Sequence, residues 1–107
     1  MSIVDKYYPG LRNNATAWGE SDAMAWVSGL LLEDGIKAGG LTASATPTAA
    51  EILSGLNSLK GDSLNGMAPP LTFTAGKPHP LDCWFTTRLK NGVPSLVNGG
   101  KVTCENG

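Results

Sequence analysis

Hydrophobic positions keep a helical period through the first sixty residues and lose it afterwards. Ile3, Val4, Tyr7 and Tyr8 fall at helical spacing, and Pro9-Gly10 stops that segment. A polar connection, LRNNATAWG, follows. Glu20 or Ser21 opens the longest helical pattern, which runs to Gly39-Gly40 as its carboxyl-terminal cap. Ala23, Val27, Leu30, Leu31 and the polar Asp34 share one face of it, Trp26 widens that face, and Gly29 leaves room for a neighbouring backbone or simply fills space. The Gly35-x-x-x-Gly39 spacing carries little meaning outside a membrane helix. A third helix is announced by Thr48 with Glu51 as a capping box, or by Thr46 as cap with Pro47 at the first helical position. Its buried stripe is Ile52, Leu53, Leu56 and Leu59, and Gly61 ends it.

Beyond residue 62 the pattern becomes extended. LNGMAPPLTFTAGKPHP is rich in Gly and Pro, and only LTFT reads as a strand, barred from a central ladder position by Pro69-Pro70. CWFTTRLK has the aromatic and β-branched content of a strand, Asn91-Gly92 is a hairpin turn signal, and Pro94 makes the return strand an edge. The expected order is helix, helix, helix, short strand and hairpin, an α/β chain without internal repeats.

Composition narrows what such a chain can do. With 107 residues, 41% hydrophobic, there is room for one domain, and 14 glycines thin its core. A formal charge of −1, with Lys and Arg scattered singly, offers no basic stripe for nucleic acid or an anionic membrane. The longest apolar run, Ala23 to Leu32, is broken by Ser28 and Gly29 and falls short of the roughly 20 residues that a membrane span needs. Asp5 and Lys6 stand where a secretory signal needs an apolar segment, so the expectation is either a cytosolic protein or a processed or excised piece of a longer one. Cys83 and Cys104 bracket the hairpin pattern, which brings the two ends together. A disulfide there closes a loop worth about 3 kcal/mol and favours an oxidising compartment; the other reading is two free buried thiols. Two cysteines and one histidine do not complete a zinc site without carboxylates, so no metal or other cofactor is expected. Asn14-Ala15-Thr16 is formally a glycosylation acceptor.

Catalytic chemistry finds little purchase. His79 is the sole histidine, and proline on each side holds it on a stiff extended passage. A triad would need it with a serine and Asp22, Asp62 or Asp82, yet no G-x-S-x-G elbow is present. Glu33-Asp34 sits on or near an exposed helix face, and GGKVT lacks the spacing of a phosphate loop. The residues predict a protein that is not an enzyme.

The ordered pieces AWGESDAMAWVSGLLLEDGIKAGG, PTAAEILSGLNSLKGDSLNGMAPPLTFTAGKPHPLDCWFTTRLKNG and GGKVTC resemble the carboxyl-terminal portion of extracellular substrate-binding proteins of ABC transporters. The branched-chain amino-acid (Leu/Ile/Val-binding) type, with the type I periplasmic-binding fold, is the most similar class. The resemblance implies a fragment of that two-lobed fold: residues 1–78 from the amino-terminal lobe, 79–83 as a hinge crossing, and 84–107 as the terminal hairpin of the other lobe. It implies a receptor that captures a small polar ligand such as an amino acid for an ABC permease, in the periplasm or at the surface of a Gram-positive cell. Ala17, Trp18, Gly19 and Glu20 would then lie near the ligand cleft, with Trp18 as an apolar wall and Glu20 as partner for an α-ammonium group, against the plainer roles of core anchor and first-turn acid. His79, Pro80, Leu81 and Asp82 would form the hinge, Cys83–Cys104 would staple the hairpin, and Trp84 would anchor it in a core. The alternative function is an independent secreted, disulfide-stapled protein-interaction module. Helices built to cover an absent sheet expose apolar faces, so self-association is expected as well.

Overall fold

The computed structural model describes residues 2–14, 17–42 and 46–105. Ala15 and Thr16 of the glycosylation triplet lie outside the described residues, as does part of the LTASATPT connection. Three helices come first: α1 (Ser2–Tyr7), α2 (Glu20–Ala38) and α3 (Ala49–Ser58), with a 3-10 turn at Leu11–Asn13. Six short strands follow: β1 (Lys60–Asp62), β2 (Leu71–Thr72), β3 (Cys83–Trp84), β4 (Thr87–Lys90), β5 (Val93–Leu96) and β6 (Thr103–Cys104). They pair as three separate antiparallel ribbons, β1 with β2, β3 with β6 and β4 with β5. The chain is thus a mixed α/β protein whose described ladders are all antiparallel.

Helix ends follow their local chemistry. The Gly19 N–H donates to Asp22 Oδ2 at 2.9 Å, so the carboxylate satisfies a backbone donor left over at the start of α2. At the other end Gly40 takes φ 73°, the left-handed region that suits glycine. There the Gly40 N–H donates to the Lys37 carbonyl and the Leu41 N–H to that of Ile36 at 3.3 Å, the two reverse bonds of a Schellman motif. In α3 the Thr48 hydroxyl accepts from the Glu51 N–H, and the Glu51 carboxylate accepts from the Thr48 N–H at 2.8 Å, which selects the capping box over a Thr46 cap. These bonds, from the Thr48 backbone first and its hydroxyl second, hold the Glu51 carboxyl below its usual range. The helix stops at Ser58 rather than at Gly61, because Lys60–Asp62 leaves to pair with Leu71–Thr72.

α2 and α3 meet through glycine. A methyl group on Gly55 would overlap the Gly35 carbonyl oxygen and come within 2.8 Å of Gly39 N. The Gly35/Gly39 spacing therefore does structural work without a membrane, while Gly29, the other candidate for close approach, has nothing within 4 Å of where its Cβ would stand. Around this contact the expected α2 face (Ala23, Val27, Leu30, Leu31, Asp34) is half-buried, and so are Ile52, Leu56 and Leu59 of α3. Leu53 is not part of the stripe; it is 59% exposed.

The hairpin follows its turn signal. Asn91 and Gly92 both have positive φ, 51° and 77°, as a type I′ turn requires. Cys83 and Cys104 are disulfide-bonded with their Cα atoms 4.0 Å apart, directly opposite in the β3–β6 pair. Trp84 is 46% exposed and anchors no core. Buried hydrophobic side chains among the described residues are Val4, Leu64 and Ala68, and the molecule is a slab of 48 × 38 × 18 Å.

Candidate functional site

Three grooves and one strand face concentrate the chemistry. The first groove, about 450 Å³, lies between the 70–74 passage and the 79–82 passage and is lined by Leu71, Phe73, Thr74, His79, Leu81 and Asp82 among others. A turn in which the Lys77 N–H donates to the Thr74 carbonyl joins the two passages. His79 Nδ1 lies 2.8 Å from the Pro80 carbonyl, so in the neutral ring Nδ1 carries the proton and donates, leaving Nε2 as acceptor. The predicted hinge residues His79, Leu81 and Asp82 therefore come together as one wall of this groove. The Pro80 backbone carbonyl orients the imidazole.

The second groove, about 320 Å³, gathers Val4, Tyr8, Leu11, Trp18, Asp22 and Trp26 between α1 and the start of α2. It contains one of the four residues expected near a ligand cleft, Trp18, which is half-buried. Ala17 and Glu20 are exposed, Gly19 is the helix cap, and the carboxylate in the lining is that of Asp22. Beside it, Arg12 is paired with Asp5, whose carboxyl the guanidinium hydrogen bond holds below its ordinary value.

The third groove, about 360 Å³, runs along the second half of α2 and is lined by Gly29, Leu32, Glu33, Ile36, Lys37 and Leu41. Its walls follow from the helix terminator: Ile36 and Leu41 are the two residues that a Schellman motif brings into apolar contact. Leu32 stands one turn earlier, 47% exposed, and Gly29 leaves the floor open. Glu33 and Lys37 form an ion pair at its rim. Asp34 is held above the usual carboxyl range by withdrawal from water first and by the Asp62 carboxylate second.

The strand face belongs to the β4–β5 hairpin. Thr87 pairs with Leu96, Arg88 with Ser95, Leu89 with Pro94 and Lys90 with Val93. Side chains alternate along a strand and directly opposed residues share a face. Thr87, Leu89, Pro94 and Leu96 therefore lie on one face, and Arg88, Lys90, Val93 and Ser95 on the other. Every residue of both strands is exposed, Leu89 at 72%. The hairpin itself is the one that the Asn91-Gly92 turn signal predicts; what the sequence leaves open is that both of its faces are exposed.

Among the described residues no cluster of three His, Cys, Asp or Glu side chains is placed to hold a metal ion, and no helix is long and apolar enough to cross a membrane. Comparison with protein-family models, curated proteins and solved structures finds no match to this chain.

Proposed function

We infer that the chain is a non-enzymatic interaction module of an extracytoplasmic protein, binding a protein partner through apolar faces that its own fold leaves open. The observation that carries this reading is surface area. The molecule exposes 7925 Å², whereas a compact monomer of its mass exposes about 5,700 Å². Ile3, Tyr7, Tyr8, Met24, Leu32, Leu53, Leu89 and Leu96 are among the large side chains left outside. Large apolar side chains exposed together are the kind of surface that marks association. The Cys83–Cys104 disulfide supports an oxidising compartment.

Small-angle scattering of the oxidised chain at low concentration tests it. The expected radius of gyration is close to the 16.3 Å of the slab; a value near the roughly 13 Å of a compact chain would mean that the apolar faces fold onto each other and that no partner is needed.

A second reading is favoured by the Trp18 groove alone. There the chain would be a fragment of a type I periplasmic-binding receptor that holds a small ligand such as an amino acid for an ABC permease, with 1–78, 79–83 and 84–107 as lobe, hinge and terminal hairpin. The aromatic walls of Trp18, Tyr8 and Trp26 with the Asp22 carboxylate suit an α-ammonium group on an apolar body. Titration with free amino acids while following the Trp18 and Trp26 indole N–H resonances tests it: specific shifts support the receptor reading, and silence across the panel removes the Trp18 groove as a ligand site of this chain.

A further inference from the structure

We propose that Asp34 on α2 and Asp62 on β1 share a proton that fastens the 62–68 turn to the helical pair, so that the turn is clasped in acid and released as the pH rises. The backbone of this turn needs holding. Leu64, Asn65 and Gly66 have φ of 50°, 57° and 81°, three successive residues in the left-handed region. Glycine is at ease there, but a leucine is not, because its Cβ crowds the following carbonyl oxygen. Such a conformation persists only where its surroundings impose it. Two things impose it on Leu64. Its side chain is completely buried, and with Ala68 it supplies two of the three buried hydrophobic side chains among the described residues. Its N–H donates to Asp62 Oδ1 at 2.9 Å, while the Gly66 and Ala68 N–H groups both return to the Ser63 carbonyl.

Asp62 joins this turn to α2, because its carboxyl also hydrogen-bonds the Asp34 carboxyl. Two carboxyl groups make such a bond only with a proton between them, and two ionised ones at that distance repel. Asp62 already accepts a backbone N–H, as a carboxylate does, so Asp34 is the group that carries the proton and donates it to Asp62. The charged groups on the elements around the pair are engaged elsewhere. On α2, Lys37 is near enough to favour the ionised form but is committed to Glu33. On α3, the Glu51 carboxylate is held by Thr48. The Lys60 ammonium of β1 donates to the Asn57 and Phe73 carbonyls. Asp34 and Asp62 are both half-buried, and withdrawal from water adds to the preference for a protonated acid at Asp34. The clasp is therefore complete below the ordinary carboxyl value of 3.8 and is lost as the pH rises through the raised value of Asp34. Once the proton leaves, repulsion moves Asp62 away from α2 and pulls its bond to the Leu64 N–H out of line. The left-handed residues can then relax, and Leu64 and Ala68 come towards the surface.

Hydrogen exchange and carboxyl-carbon NMR of the oxidised chain, followed from acid to neutral pH, test this. The Asp34 and Asp62 carboxyl carbons are expected to titrate as a coupled pair, in two steps that both carbons report. Protection of the Leu64 and Ala68 amides, corrected for intrinsic exchange, is expected to drop across the upper step while that of the β4–β5 ribbon holds. Asp34→Asn, whose amide donates to Asp62 at every pH, is expected to keep the turn protected throughout and to abolish the drop. Asp34→Ala, which donates nothing, is expected to leave the turn poorly protected at every pH. Far-ultraviolet circular dichroism checks that both variants keep their helices; should either fail to fold, the wild-type titration still decides. Two independent carboxyl titrations at ordinary values, turn protection indifferent to pH, or a drop that survives in Asp34→Asn would each overturn the shared proton.

Discussion

The helical pair and the stapled loop solve the same problem by opposite means. α2 and α3 hold together where side chains are missing, at Gly35, Gly39 and Gly55, so that backbone meets backbone. Residues 83–104 hold together by a covalent bond and a ladder whose β4–β5 side chains all face solvent. Neither region relies on a large buried core, and both leave leucines outside. Local order here comes from glycine contact, capping and cross-linking, which leaves large apolar side chains such as Leu53 and Leu89 at the surface.

The largest break in this contrast should come from the disulfide. Replacing both Cys83 and Cys104 with Ser removes about 3 kcal/mol in the chain-entropy model. The loss should fall on one side of the comparison: amide resonances of 83–105 collapse while the helical circular dichroism persists. Retained dispersion in the loop would show that the β4–β5 ladder suffices alone.

The reverse break is Gly55→Ala, which forces a methyl group onto the Gly35 carbonyl and should cost about 2 to 3 kcal/mol, read as a lower urea midpoint with unchanged hairpin resonances. Gly29→Ala, at an open position of the same helix pair, should instead stabilise by up to about 1 kcal/mol. Equal effects at the two sites would mean that the glycine contact does not organise the pair.

A smaller change sharpens the contrast through pH. The Asp34 carboxyl lies above its ordinary 3.8, through loss of water and the nearby Asp62 carboxylate, so its ionisation disfavours the folded state. Stability from this group is highest below the unfolded value and falls as pH rises through the raised folded one. Asp34→Asn should therefore raise the melting temperature at neutral pH and change nothing in strong acid. A gain that is equal at both pH values would point to a cause other than charge.

Much of this architecture is legible in the residues. Thr48 with Glu51, the Gly39-Gly40 stop, Asn91-Gly92 and the paired cysteines act through local bonds, and the structure places each where its chemistry predicts. What escaped depends on distant neighbours. β1 is Lys-Gly-Asp, with no pattern of its own, and exists because Leu71–Thr72 lies alongside. Gly35 and Gly39 become meaningful only when Gly55 arrives opposite them, and Leu53 falls outside the stripe because that contact fixes the rotation of α3. At the candidate sites Trp18 lines one groove and His79, Leu81 and Asp82 another, neither of which the sequence outlines, and the uncovered hairpin face required a known register.

The staple also sets how the chain answers to tension. Cys83 and Cys104 sit opposite each other, 4.0 Å apart at Cα, so a pull along the backbone crosses the sulfur bridge and bypasses everything between. About 70 Å of contour cannot be paid out while the bridge is intact, and the hairpin carrying Leu89 and Leu96 feels no load. Under force the helical half would lengthen first, with the β4–β5 ribbon still folded.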